Sequence, residues 1–302
     1  MPRHRRKGRA LHGLLLLDKP SGITSNQALQ NVKKIYDADK AGHTGSLDPL
    51  ATGLLVICFG RATKISDFLL NSDKHYQVSL KLGVTTDTGD ADGRITNKQG
   101  VPPLTNPQIQ HALKHFTGDI EQVPPMYSAL KHRGTRLYRL ARQGIEVGRP
   151  SRPVKIHKLK LIKKEAGVLY LEVLCSKGTY IRTLVEDLGK HLGCGAHVRE
   201  LRRTGLGPFV NPELHTLMEL EEASAAGVSS LDEMILPVEH ALSSWPALSL
   251  DQDVMDKIHH GCPVRVPRLP AQRVIRIYDA SDRFFGIGTV LEDGRIVPKR
   301  LG

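Results

Sequence analysis

The sequence predicts an α+β protein, with a mixed-sheet domain followed by a small β-rich module at the carboxyl end. Segments with apolar residues at helical spacing alternate with short apolar or alternating segments typical of strands. After about Trp245, only short strand-like segments remain, separated by Pro, Asp-Gly and Ser-Asp turns. Apolar residues make up 40% of the 302 residues, enough for a buried core. We expect a disordered basic arm over 1–12, a first domain over 13–245 and a second over 246–302.

Each predicted element follows from its local sequence. Leu14–Leu17 is an apolar run that ends at a Lys-Pro-Ser-Gly turn, after which Thr24 or Ser25 can cap a helix. Leu54–Phe59 is an apolar run between two glycines, which is typical of a central strand. The predicted strands are Leu14–Leu17, Leu54–Phe59, Tyr76–Leu82, Leu169–Leu174, Val264–Val266, Val274–Tyr278, Phe284–Val290 and Arg295–Pro298. The predicted helices are Asn26–Tyr36, Ala62–Leu70, Gln108–Phe116 and Ile181–Leu192.

The charge of the chain indicates a polyanionic partner. Lys and Arg number 43 against 31 Asp and Glu, a net charge of +12, which favours nucleic acid over an anionic membrane surface. Residues 131–160 carry ten Lys or Arg against one acid, whereas residues 204–256 carry ten acids and no Lys or Arg. The basic run is too one-sided for ion pairs on a helix surface, so we predict that it contacts the polyanion. The acidic stretch is interpreted as a solvated connecting region.

Several classes of protein are disfavoured by composition. The four cysteines, Cys58, Cys175, Cys194 and Cys262, are scattered, which argues against zinc fingers and disulfide scaffolds and fits a reducing compartment. No apolar run approaches the length of a membrane span. The basic start followed by Leu11–Leu17 imitates a signal peptide but lacks a proper apolar core and a cleavage site. We therefore expect a cytoplasmic protein.

Familiar cofactor and metal motifs also fail. The glycine-rich stretch Gly42–Gly53 has Asp48 where a phosphate-binding loop would need a lysine. The segment Asp87–Asp92 lacks the ligand spacing of a calcium loop and is interpreted as a polar loop. Cys194 and His197 have no partner pair of ligands, so we interpret both as structural residues.

The densest local signal is the segment Ala41–Gly53, AGHTGSLDPLATG, directly before the predicted central strand. Its glycines allow the backbone to approach a ligand closely. Pro49 disfavours the helical conformation at Asp48, so this carboxylate would be held at a fixed angle on a rigid loop. The residues alone leave two interpretations open, an active-site loop and an ordinary Asx-Pro turn.

The string GHTGSLDPLATGLL closely resembles the catalytic motif of the TruB-type tRNA pseudouridine-55 synthases. Further blocks that match this family run in order along the chain from residue 14 to about 240, and the chain end resembles a PUA RNA-binding domain. These blocks are Leu17–Ser25, Gly60–Lys64, Lys74–Tyr76, Thr86–Gly93, Val123–Lys131, Ser176–Leu184 and Leu201–Thr204.

The resemblance implies a mixed-sheet pseudouridine synthase fold of the stand-alone bacterial type. Its activity is the cleavage of the N1–C1′ bond of uridine 55 in the T-loop of tRNA, followed by rotation of the uracil and rejoining through C5. Such an isomerisation needs no cofactor and no metal, in agreement with the failed motifs. The implied partner is tRNA, through its T-loop, T-stem and acceptor side, with no required protein partner and a monomeric enzyme.

The resemblance also assigns roles to residues. Asp48 is the essential residue, expected to be ionised at neutral pH because the ordinary pKa of Asp is near 3.9. It acts either as a nucleophile at C1′ or as a base on the ribose 2′ proton, and the sequence leaves both open. Tyr76 stacks on the target base and is a candidate for taking the C5 proton. Arg182 pairs with Asp48 and holds it ionised.

Other residues carry supporting roles by the same resemblance. Tyr180 contacts the base, and it would alternate with Arg182 if the stretch is extended. Leu201 forms an apolar wall, and His43 fills stacking space vacated by flipped nucleotides. Support of the site or of the RNA backbone is expected from Lys19, Pro20 and Lys64. An insertion over residues 124–153 grips the T-loop, and its phosphate contacts are expected from Arg136, Arg139 and Arg142.

Two alternatives remain open at the level of function. One is the guide-RNA-dependent branch of the same family, which works inside a ribonucleoprotein. The other is a non-catalytic RNA-binding protein that folds tRNA, in which Asp48 and Arg182 would be idle.

Overall fold

The computed structural model describes residues 8–266, 270 and 272–301. The strands are β1 (Gly13–Lys19), β2 (Ala41–His43), β3 (Thr52–Phe59), β4 (Lys74–Leu82), β5 (Val84–Thr86), β6 (Ile95–Lys98), β7 (Gly118–Gln122), β8 (Lys131–His132), β9 (Thr135–Arg136), β10 (Arg152–Glu165), β11 (Val168–Cys175), β12 (Ala196–Leu206), β13 (Phe209–Val210), β14 (Ala247–Leu250), β15 (Val264–Arg265), β16 (Val274–Asp279), β17 (Phe284–Val290) and β18 (Arg295–Leu301). The helices are α1 (Ser25–Ile35), α2 (Ser66–Leu70), α3 (Asn106–His115), α4 (Leu137–Arg142), α5 (Ile181–His191), α6 (Leu217–Ala226), α7 (Val228–Asp232) and α8 (Gln252–His259), with 3₁₀ helices at Gly60–Lys64 and Val238–Leu242.

A nine-stranded mixed sheet organises the first part of the chain. Its strand order is β1-β3-β12-β4-β11-β10-β7, with β2 paired to β3 and β13 paired to β12. The pairs are antiparallel except for a short parallel contact between β3 and β12, where Gly53 lies beside Arg203. This arrangement confirms the predicted α+β class and places the end of β12 next to the start of β3.

The apolar run of β1 is explained by burial on both faces. Leu14 and Leu16 belong to one hydrophobic cluster, and Leu15 and Leu17 belong to another on the opposite side of the sheet. Because successive strand residues face opposite sides, a strand covered on both faces is apolar throughout. Helix α1 covers one of these faces, and the hydroxyl of its cap Thr24 accepts a hydrogen bond from the Gln27 amide.

The second module is a five-stranded sheet in the order β14-β16-β17-β18-β15. Its strands begin where the sequence predicted them, whereas β14 and helix α8 were not predicted. The module packs against the first domain, since Ile287 shares a cluster with Leu14 and Leu16. The ring of Trp245 meets that of Phe68 edge to face, with centroids 4.5 Å apart.

One predicted helix needs correction. The single helix over Ala62–Leu70 was wrong, because a 3₁₀ helix ends at Lys64 and α2 starts at Ser66. The hydroxyls of Thr63 and Ser66 donate to the carbonyls of Gly60 and Thr63, and such local hydrogen bonds compete with those of a continuous helix.

The basic arm is ordered over its last residues. Arg9 forms a β-bridge with Ala38 and an ion pair with Asp232. Residues 1–7 of the arm lie outside the described residues. In the described part of the chain, no helix combines the length and the apolar character needed to cross a membrane.

Candidate active site

The loop that carries Asp48, between β2 and β3, is held by the turn after β1 and by the first residue of α1. The Ser25 hydroxyl donates to the Leu47 carbonyl at 3.0 Å and accepts from the Leu47 amide at 2.7 Å. The Gly22 amide donates to the Pro49 carbonyl at 2.9 Å. The two segments singled out in the sequence are therefore one structural unit, in which the first orients the second.

Lys19 fixes the same loop from inside the protein. Its side chain is fully buried, and its ammonium donates to the carbonyls of Pro20, Pro49 and Ala51 at 2.7, 3.2 and 2.7 Å. Burial lowers the pKa of Lys19 to about 8, against an opposing attraction from Asp48. Pro20 itself is exposed and contributes the carbonyl.

Asp48 and Arg182 form a two-pronged ion pair at the centre of the site. Arg182 Nε lies 2.9 Å from Asp48 Oδ2, and Arg182 Nη2 donates to Asp48 Oδ1 at 3.1 Å. The Arg182 side chain is 6% exposed, whereas the Asp48 side chain is 40% exposed, so the carboxylate is accessible and its partner is not. Burial raises the pKa of Asp48 and the guanidinium opposes the rise. The ordinary pKa that the sequence suggested for Asp48 is therefore corrected upward.

Arg182 has further partners that sequence reasoning missed. Its Nη1 donates to the Thr88 carbonyl at 2.8 Å and its Nη2 donates to the Tyr127 carbonyl at 2.7 Å. Its Nη1 also lies 3.6 Å from Oδ2 of the buried Asp90. Asp90 belongs to the segment interpreted above as a polar loop. A guanidinium has five N–H donors, so a buried Arg in the motif was a signal that further acceptors must converge on it.

Tyr76 and Leu201 line the same face of the sheet. Tyr76 pairs with Arg203 and Val78 pairs with Leu201 across β4 and β12, so their side chains point to one side. Both Tyr76 and Leu201 are buried and belong to the cluster that contains Leu47. Burial raises the pKa of Tyr76, while the charge of Arg203 opposes that rise.

Tyr180 lies directly before α5, in agreement with the helix predicted over Ile181–Leu192. The stretch is not extended through Arg182, because α5 begins at Ile181 and Tyr180 is its cap residue. Gln122 fixes this cap, since the Tyr180 amide donates to Gln122 Oε1 at 3.0 Å and Gln122 Nε2 donates to the Tyr180 carbonyl at 3.3 Å. The side-chain alternation of a strand therefore does not relate Tyr180 to Arg182.

His43 and Lys64 lie at different places. His43 ends β2 just before the Asp48 loop, and its Nδ1 is buried without a hydrogen-bond partner among the described residues. Burial lowers the pKa of His43, which favours the neutral ring. Lys64 is exposed and lines a cavity of about 450 Å³ between the two domains, together with Arg61 and Phe284. Asp48 does not line that cavity.

The insertion over residues 124–153 contains β8, β9 and α4. Leu137 is buried, whereas Arg136, Arg139 and Arg142 are exposed. The guanidinium carbon of Arg142 lies 5.7 Å from the centre of the Tyr138 ring. The insertion reaches the site through the Tyr127 carbonyl that Arg182 binds.

The basic run 131–160 extends beyond this insertion into the sheet. Lys155 and Lys158 lie in β10, where their ammonium groups are 3.6 Å from Asp119 and 2.9 Å from Glu172. The basic run therefore contains lysines that form cross-strand ion pairs as well as the exposed arginines of the insertion, and its contact with a polyanion stays a prediction.

Comparisons with known proteins agree with this architecture. The family model for the N-terminal domain of the TruB family of pseudouridylate synthases matches residues 33–181. The C-terminal domain of tRNA pseudouridylate synthase B matches residues 182–243, and the C-terminal domain of pseudouridine synthase II TruB matches residues 246–301.

Among curated relatives, tRNA pseudouridine synthase B of Nitrosococcus oceani is 54% identical over all of this chain and 98% of its own length. That of Stutzerimonas stutzeri is 52% identical over all of this chain and 99% of its own length.

Solved structures give the same fold. The crystal structure of a Cbf5-Nop10-Gar1 complex contains a chain with a TM-score of 0.75 and 26% identity, covering 96% of this chain and 84% of its own. The structure of an H/ACA RNP bound to a substrate RNA containing 2′-deoxyuridine gives a TM-score of 0.73 and 26% identity, with the same coverage. The chain belongs to the TruB family of pseudouridylate synthases.

Proposed function

We propose that this protein isomerises uridine 55 in the T-loop of tRNA to pseudouridine, with Asp48 as the catalytic carboxylate. The observation that carries the proposal is the Asp48–Arg182 pair, in which a buried guanidinium orients a carboxylate that remains 40% exposed. A group that must meet a substrate has to be accessible, and a group that orients it does not. The names of the curated relatives support tRNA as the substrate.

The reaction balances without a redox partner. The N1–C1′ bond breaks and its electron pair leaves with the uracil, where the carbonyls delocalise the negative charge. After rotation, a new bond forms between C5 and C1′, the C5 proton is released, and N1 takes up a proton. Because uracil is a good leaving group, one carboxylate suffices where glycosidases use two. As a nucleophile, Asp48 forms an ester at C1′, which breaks when C5 attacks C1′. As a base, it takes the 2′ proton to give a glycal, and that proton returns to C2′ when C5 bonds to C1′.

The neighbours of Asp48 have complementary roles in this proposal. Arg182 keeps Asp48 ionised against the effect of burial on its pKa. Tyr76 stacks on the flipped base and is the candidate for taking the C5 proton, and Leu201 forms an apolar wall of the pocket; the packing of both side chains in one hydrophobic cluster supports these roles. Exclusion of water matters, because hydrolysis at C1′ would leave an abasic site.

In this proposal, the exposed cationic side chains bind the RNA. Flipping the target base costs a few kcal/mol of unstacking, which phosphate contacts must offset. We assign these contacts to Arg136, Arg139 and Arg142 in the insertion, and we assign the acceptor side of the tRNA to the second module. We place the enzyme in the cytoplasm as a monomer that needs no protein partner.

Tritium release from tRNA labelled at uridine C5 tests this proposal. The purified protein alone should release tritium into water, and Asp48→Asn should lower the rate by about 10⁴-fold while tRNA binding is retained. No release by the folded wild-type protein would contradict the proposal. Release only after addition of a guide RNA would favour the guide-dependent alternative, and accelerated tRNA refolding without release would favour the non-catalytic one.

A further inference from the structure

Arg203 is a buried cation that the proposed reaction does not use directly. It is 1% exposed and is among the largest fully buried side chains of the protein. A buried charge is strongly unfavourable unless its donors are satisfied. Two of the acceptors of this guanidinium are backbone carbonyls. The position of those carbonyls shows what the side chain does.

The two carbonyls lie at opposite ends of the catalytic loop. Arg203 Nε donates to the Leu54 carbonyl at 2.7 Å, and Arg203 Nη2 donates to the Gly45 carbonyl at 3.2 Å. Asp48 lies between these two positions in the sequence. One planar group therefore fastens both ends of the segment that presents the carboxylate. A planar fork with donors at fixed angles is suited to this link, whereas a lysine at position 203 would present a single ammonium group in its place.

The same guanidinium also faces Tyr76. Arg203 and Tyr76 are directly opposite each other in the β12–β4 pair, so their side chains share one face. The charge of Arg203 and a polar contact with the phenol oxygen oppose the rise that burial causes in the pKa of Tyr76. The register shifts just after this pair, between Arg203 and Gly205, and such irregularities re-aim side chains next to sites.

We propose that Arg203 is a positioning residue that holds the Asp48 loop and the Tyr76 hydroxyl in one fixed frame. This inference rests on the proposed function, because it concerns the two groups that act on the uridine. The role belongs to the side chain. The backbone of Arg203 has a separate role, because it packs closely against Gly53 in the parallel contact between β12 and β3. A Cβ added to Gly53 would lie 2.3 Å from the Arg203 carbonyl oxygen. Side-chain substitutions leave that contact possible.

The neighbouring Arg202 provides a matched control. Its guanidinium donates to both carboxylate oxygens of Asp18 at 2.9 and 2.7 Å, and its side chain is 42% exposed. Arg203→Lys and Arg203→Gln should lower kcat for tritium release by about 30-fold and 100-fold, with KM within about twofold of wild type. Arg202→Gln should leave both constants within about twofold, because it removes an arginine of the same strand without touching Tyr76.

A second readout is independent of catalysis. In protein labelled with ¹³C at tyrosine Cζ, assigned with Tyr76→Phe, the Tyr76 resonance should move in both Arg203 variants and stay in place in Arg202→Gln. An inactive wild type would remove the proposed function, yet this resonance would still test the contact. A folded Arg203→Lys with wild-type kcat and an unmoved resonance would overturn the inference. Failure of Arg203→Lys to fold would also overturn it, because Arg203 would then be a determinant of stability.

Discussion

The Asp48 site and the insertion over residues 124–153 are both rich in cations but use them in opposite ways. In the site, Lys19, Arg182 and Arg203 are buried and donate to carbonyls and to Asp48. In the insertion, Arg136, Arg139 and Arg142 are exposed, and the Arg142 guanidinium lies beside the Tyr138 ring. The same chemical groups therefore differ in burial, and burial decides what each can do.

The difference has a physical reason. A buried cation is unfavourable unless nearly every donor has an acceptor, so its geometry is fixed before substrate arrives. Such a group orients a reacting carboxylate without reorganisation. An exposed cation keeps its mobility and its hydration, which suits the binding of phosphates whose positions vary. Its contribution is screened by salt, whereas that of a buried pair is screened much less.

Among the variants that test this comparison, Arg182→Gln is expected to lower kcat/KM the most. Loss of the guanidinium should lower kcat/KM by about 10³-fold, because Asp48 is no longer oriented and loses the charge that opposes the rise of its pKa on burial. The pKa of Asp48 then rises further. Since Asp48 acts as a carboxylate, the acid limb of the pH–rate profile should move to higher pH. Tritium release measured from pH 5 to 8 checks both effects, and an unmoved acid limb would separate Arg182 from the ionisation of Asp48.

The next largest effect is expected from the exposed arginines of the insertion. Replacing Arg136, Arg139 and Arg142 together by Gln should raise KM by about 30-fold with kcat little changed, because uniform binding to phosphates is lost. The slope of log affinity against log salt should become shallower by about 2. Filter binding of tRNA between 50 and 200 mM salt measures that slope. An unchanged slope would remove these residues from the RNA interface.

Asp90→Asn should lower the rate less than Arg182→Gln does, and it should shift the acid limb of the pH–rate profile in the opposite direction. The carboxylate of Asp90 raises the pKa of Asp48, so its neutralisation lowers that pKa and moves the acid limb to lower pH. The rate at the plateau should fall by about fivefold, because Arg182 loses one of its anchors at 3.6 Å. The same profile that tests Arg182→Gln tests this variant. A shift in the same direction for both would contradict the electrostatic account.

The sequence predicted the parts of the fold that are encoded locally. β1 and β3 are apolar on both faces, and α1 carries its cap at Thr24, so spacing and composition sufficed. β10 was missed because its outward-facing lysines merged with the basic run of the insertion. Its apolar residues Val154 and Ile156 alternate inward as a strand requires.

The residues of the site could be predicted from the sequence only where the family resemblance gave them a role. The resemblance brought Asp48 and Arg182 together, and the structure places them 2.9 Å apart. It gave no role to Asp90 or Arg203, because burial and carbonyl partners come from segments that are distant in the chain. Arg203 lies next to Arg202 in the sequence, and nothing local indicates that one is 1% exposed and the other partly exposed.

The smallest effect comes from comparing two cations within the basic run 131–160. Lys158→Gln should leave KM for tRNA within about twofold of wild type, because Lys158 already pairs with Glu172 at 2.9 Å in the sheet. Arg142→Gln should raise KM by about threefold, because the side chain is exposed in the insertion. Measured side by side at one salt concentration, the pair distinguishes local charge density from position in the fold. An equal rise in KM for both would extend the RNA interface onto β10 and weaken the contrast between the two regions.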